Sequence, residues 1–253
     1  MSSDTTQQAG SQHAELSFDQ LIDTTSPALL KQAAANPELT EDLALALLKR
    51  SDLSGDVIEQ LSKHPAVGKS RKLRRAVVEH QKTPRHVSVP MLRHLFTFEL
   101  MHVALTPCVP ADVKRAAEEV LIGRLDSIPS GARLTLARRA SGRIAGELLR
   151  DRESRVMKAA LENARLTEAI LIRALNQNEP SPSLVQAACR HPKWSAQRDI
   201  RIALLRCEHT PLARALEFAR SLPASVVDQI LKVSRLSEKV KTCLLRELKR
   251  NSS

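Results

Sequence analysis

The chain has 253 residues, of which 42% are hydrophobic, but aromatics make up only 2% and tyrosine is absent, so a sizeable core must be built from Leu, Ala, Val and Ile. Against 28 Asp and Glu stand 39 Lys and Arg, a net charge of +11; no run approaches the roughly eighteen apolar residues of a membrane span, so the excess charge points to acidic or phosphate-bearing partners. Cys108, Cys189, Cys207 and Cys243 lie far apart without a C-x-x-C pair, which excludes a disulfide framework or zinc ligand set and predicts reduced thiols in a cytoplasmic protein.

Residues 1–15 are polar, lack the basic start and apolar run of a signal peptide, and read as a disordered lead. The segment 16–253 reads as a single α-helical repeat domain. Its seven glycines and lack of period-two alternation argue against sheet, while apolar residues recur at steps of three and four. Helices are predicted over 17–23, 27–35, 41–50, 55–63, 70–80, 84–95, 97–105 and 110–122. Ser26-Pro27, Thr83-Pro84, Ser181-Pro182 and Thr210-Pro211 each offer a hydroxyl at an N-cap and a proline at the first helical position. Asn36-Pro37, His64-Pro65 and His191-Pro192 read instead as stops. Between 123 and 154, Leu134, Ala137, Ile144 and Leu148 keep helical spacing and Ser141-Gly142 marks a break, which predicts one further helix pair.

Shifted by 127 residues, the chain aligns with itself without a gap, 28–122 onto 155–249, and the shared residues cluster at the joints. Asn36, Leu39, Thr40 and Glu41 recur as Asn163, Leu166, Thr167 and Glu168; His64-Pro65, Arg71, Arg74, Ala76 and Thr83-Pro84 recur as His191-Pro192, Arg198, Arg201, Ala203 and Thr210-Pro211. Fixed-period self-similarity is the signature of an array in which each helix pair buries its apolar face only against its neighbours. The expectation is one duplicated array, with 123–154 as the connecting pair.

The segments LRRAVVEHQKTP and IRIALLRCEHTP, with fragments AAANPELT, ALENARLT and ACRHPKWS, resemble the leucine-rich repeat variant unit and, more loosely, HEAT repeats. The resemblance covers most of residues 28–249 and implies an all-α fold: a right-handed α-solenoid of antiparallel helix pairs. It implies a binding scaffold without catalysis. Some leucine-rich repeat variant proteins carry an amino-terminal cysteine cluster for an iron–sulfur centre; no cysteine precedes Cys108 here, so that feature does not carry over, and no cofactor is expected.

The candidate binding residues are basic. Arg71 and Arg74 recur as Arg198 and Arg201, and three-residue spacing puts each pair on neighbouring parts of one helix face. Arg138, Arg139 and Arg143 lie between the copies. Such a face attracts oxyanions, which Arg binds bidentately; the competing role for a repeated Arg is to bond the next repeat. The expected partner is a protein, reached through a basic concave face and bearing an acidic segment; sequence-tolerant nucleic-acid binding is the alternative. A HEAT-like DNA glycosylase is less favoured, because one Trp and four Phe offer little to stack on an extruded base. His64 and His191 sit at helix ends and read as caps, no metal site is expected, and Trp194 reads as an apolar plug.

Overall fold

The computed structural model describes residues 24, 26–177 and 179–251. Among them every regular element is helical, and the chain divides into two compact units. The first runs to Leu95 and includes Cys108–Pro110. It holds α1 (Pro27–Ala35), α2 (Glu41–Leu48), α3 (Gly55–Ser62), α4 (Pro65–Lys69), α5 (Arg71–Glu79) and α6 (Arg85–Leu92). The second, Phe96–Pro107 and the chain from Ala111, begins with α7 (Thr97–Leu105), α8 (Ala111–Ile122), a 3-10 turn at Leu125–Ser127, α9 (Ser130–Arg139) and α10 (Gly142–Leu148). It continues through α11 (Ser154–Leu161), α12 (Glu168–Leu175), α13 (Pro182–Arg190), α14 (Pro192–Ser195), α15 (Arg198–Arg206), α16 (Leu212–Arg220), α17 (Ala224–Val233) and α18 (Glu238–Asn251). The division falls at residue 95.

Helices over 27–35 and 97–105 match their predicted bounds, and α9 with α10 supplies the pair expected in 123–154. The predicted lead at 1–15 and helix at 17–23 lie outside the described residues. Each helix start from α1 to α8 recurs 127 residues later, from α11 to α18. Within each unit, helices pack on others two or three places along the chain: α1 on α3 and α2 on α5 in the first; α9 on α11, α11 on α13, α10 on α12, α12 on α15 and α15 on α17 in the second. The three- and four-residue apolar spacing thereby buries Leu47, Ile58, Leu61 and Leu73 in one unit, and Leu136, Ile144, Leu171 and Leu204 in the other.

Two readings of the joints need correction. Thr83 and Thr210 are not N-caps: their hydroxyls donate to the carbonyls of Val77 and Leu204, six residues back, and α6 and α16 begin only after Pro84 and Pro211. The threonine thus adds a hydrogen bond to a carbonyl in the last turn of the preceding helix. His64-Pro65 and His191-Pro192 are not simple stops; Pro65 and Pro192 open the short helices α4 and α14, where a missing N–H costs no intrahelical bond. Ser181 caps α13 as expected, accepting from Leu184 N at 3.2 Å.

Other helix-end carbonyls are satisfied from the next helix pair. His64 Nε2 lies 3.0 Å from Asn36 O while Nδ1 accepts from Ala66 N, so the proton resides on Nε2. His80 makes the corresponding contact with Arg50 O at 2.9 Å. In the second unit, Asn163 Nδ2 donates to Ala137 O at 2.7 Å, and the buried Trp194 donates through Nε1 to Leu161 O at 2.9 Å. Trp194 is therefore a plug, as expected, whose polar edge also ties helix ends together.

Candidate binding surface

The seven arginines singled out in the sequence divide by what holds them. Arg74 is half-buried, with a 3.4 Å bond from Nη1 to His94 O, and Arg201 donates from Nε to Ser195 O at 2.7 Å while its guanidinium lies 5.9 Å from the Phe218 ring centroid. Arg201 is thus tied into its unit, whereas Arg74 is held by that one long bond. Arg143 pairs with Glu118 at 3.6 Å and Glu119 at 3.4 Å. Arg71 is exposed at the start of α5. Arg138, Arg139 and Arg198 are exposed, and their guanidinium groups hold no ion pair among the described residues. Arg138 and Arg139 sit in the last turn of α9, where cations complement the carbonyl end of the helix dipole.

A site the sequence reading passed over lies between α11 and α13. A groove of about 360 Å³ has Lys158, Glu162, Ser154, Ser183, Gln186, Arg190 and His191 among its lining residues. Lys158 and Arg190 occupy the last turns of their helices and are exposed without an ion pair among the described residues. Both ring nitrogens of His191 are inaccessible and unbonded; Nε2 lies 3.3 Å from Glu162 Oε1 without the alignment of a hydrogen bond.

The corresponding positions 127 residues earlier show what distinguishes this groove. Lys158, Arg190 and His191 correspond to Lys31, Lys63 and His64, whereas Ser183 and Gln186 correspond to Asp56 and Glu59. Glu59 there accepts from Lys63 Nζ at 2.9 Å, and His86 Nε2 lies 3.2 Å away. The Lys63 hydrogen bond, with its charge, holds the Glu59 carboxyl below the usual carboxylate range. Replacing those acids by a hydroxyl and an amide leaves Arg190 without a counterion and surrounds it with groups that donate to oxyanions. The exchange of Asp56 and Glu59 for Ser183 and Gln186 is legible in the shifted alignment.

Burial pushes the Cys189 thiol up to about 12 and the Cys207 thiol up to about 11, so both stay protonated at neutral pH and neither is a ready nucleophile. Among the described residues no three His, Cys, Asp or Glu side chains gather as metal ligands, and no helix is long and apolar enough to cross a membrane. No family model, curated protein or solved structure matches the chain.

Proposed function

We propose that the protein is a noncatalytic, cytoplasmic binding scaffold, a right-handed and internally duplicated α-solenoid of the HEAT or leucine-rich repeat variant kind, that takes up an acidic segment of a protein partner. The observation that carries this reading is the groove between α11 and α13, where Lys158 and Arg190 hold no ion pair among the described residues and stand beside Ser183 and Gln186, while Lys63, the equivalent of Arg190, is neutralised by Glu59. Arg138, Arg139 and Arg198 add exposed charge to the same unit. A carboxylate entering the groove gains charge-assisted bonds without first breaking an ion pair with Lys158 or Arg190.

The test is titration of a fluorescein-labelled glutamate–serine decapeptide and a labelled DNA duplex over a range of salt. Saturable peptide binding that weakens with salt and falls about tenfold in Lys158→Gln/Arg190→Gln supports the reading. Duplex binding with a steep salt slope and no peptide binding replaces it with electrostatic nucleic-acid binding.

A further inference from the structure

The first unit contains an apolar groove with one under-satisfied guanidinium, and the second unit shows how the equivalent place is filled. The groove, about 310 Å³, is lined by Ser62, Val67, Gly68, Arg74, Pro90, Met91 and His94. In the second copy the positions of Val67 and Met91 are taken by Trp194 and Phe218, which are fully buried and among the largest such side chains in the chain. Smaller residues at both positions leave unfilled volume beside Arg74.

Arg74 itself differs from its counterpart in the same sense. Arg201 Nε donates to Ser195 O at 2.7 Å; Arg74 Nε is buried with no hydrogen-bond partner, and the guanidinium makes one long bond of 3.4 Å to His94 O. An inaccessible N–H on a cation without an acceptor carries a desolvation cost that a better-held guanidinium avoids. No acidic side chain lines the groove, whereas the position of Pro90 is an acid, Glu217, in the second copy. Gly68 contributes no side chain, and a Cβ placed there meets nothing within 4 Å.

We propose that this groove receives an aliphatic side chain of a partner peptide, with an adjacent carboxylate engaging the Arg74 guanidinium. The walls supply apolar burial, and the poorly held cation supplies charge complementarity with little to break. The inference rests on the reading that the partner segment is acidic, and adds that an aliphatic residue stands beside one of its acids.

Two labelled decapeptides test it, one alternating glutamate with leucine and one alternating glutamate with serine, titrated against the full chain by fluorescence anisotropy. The leucine peptide is expected to bind about tenfold or more tightly than the serine peptide, the scale of burying one aliphatic side chain. Gly68→Leu places a side chain where space is open, so it should keep the thermal midpoint while removing the preference. Arg74→Gln should weaken the leucine peptide more than the serine peptide. Equal affinity of the two peptides for the wild type, or an undiminished preference in Gly68→Leu, overturns the inference. If neither peptide binds at all, the acidic-partner reading itself fails, a result distinct from binding without preference.

Discussion

Replacing Gly142 by alanine reverses the usual sign of a glycine substitution. Gly142 opens α10 and Gly146 follows one turn later, so both face the same neighbours. A Cβ on Gly142 falls 2.2 Å from the carbonyl oxygen of Arg165, 3.1 Å from its carbon and 3.3 Å from Ile170 Cδ1. Ordinary contact begins near 3.4 Å, so relief requires α10 to move away from backbone by roughly an ångström, forfeiting dispersion contacts along its buried face of Ile144, Ala145 and Leu148. Overpacking of this kind costs about 1–3 kcal/mol, which exceeds the gain of up to about 1 kcal/mol from introducing a better helix former. Gly146→Ala meets Ile170 Cγ2 at 2.4 Å and Cβ at 3.9 Å; that branch methyl is fixed by a stiff χ1, so the substitution should also cost stability, but less than Gly142→Ala because no backbone atom is met. Gly131→Ala in α9 meets nothing within 4 Å and should be neutral or stabilising. Thermal and urea melts followed by circular dichroism should rank the variants Gly131→Ala, Gly146→Ala, Gly142→Ala in falling stability. A Gly142→Ala protein as stable as Gly131→Ala would refute the close approach of α10 to Arg165.

Leu204→Ala removes a fully buried side chain from α15 and should cost about 2–5 kcal/mol in a urea melt; a loss under about 0.5 kcal/mol would show that the site collapses or faces solvent. Thr210→Val deletes the hydroxyl that donates to Leu204 O, but that carbonyl also accepts from Cys207 N at 3.0 Å, so the loss should stay near 1 kcal/mol. Because burial raises the Cys189 and Cys207 thiols while the unfolded chain keeps the ordinary value of 9.0, the unfolded state loses those protons first. Their contribution to stability is therefore intact below about pH 9 and declines toward pH 11–12, read as a falling urea midpoint in alkaline buffer. Native alkylation at pH 8, followed by mass spectrometry, should label exposed Cys108 and spare Cys189 and Cys207.

Helix positions were legible because the apolar spacing and proline joints act locally: α1 and α7 fall within their expected bounds, and the Ser141 break separates α9 from α10. The joints were harder, because the same Thr-Pro pair serves equally as an N-cap or as a donor to the preceding helix, and only the position of Val77 O and Leu204 O decides it. The binding surface was legible in charge alone. Sequence placed Arg74, Arg201 and Arg143 with Arg138 and Arg139, yet the first two meet backbone carbonyls and the third meets Glu118 and Glu119, partners that come from other turns or neighbouring helices. Lys158 and Arg190 drew no notice because a groove depends on which helices stack, and α11 reaches α13 across the intervening α12.

The most direct test puts the missing acids back. Ser183 and Gln186 are exposed, so Ser183→Asp/Gln186→Glu, which restores the acids found at Asp56 and Glu59, should leave the thermal midpoint near that of the wild type while supplying Arg190 with a counterion. Anisotropy titration of the glutamate–serine decapeptide should then show affinity reduced about tenfold or more and a shallower salt dependence. Unchanged affinity and salt dependence in a folded double variant would contradict the assignment of this groove as the seat of acidic-segment binding.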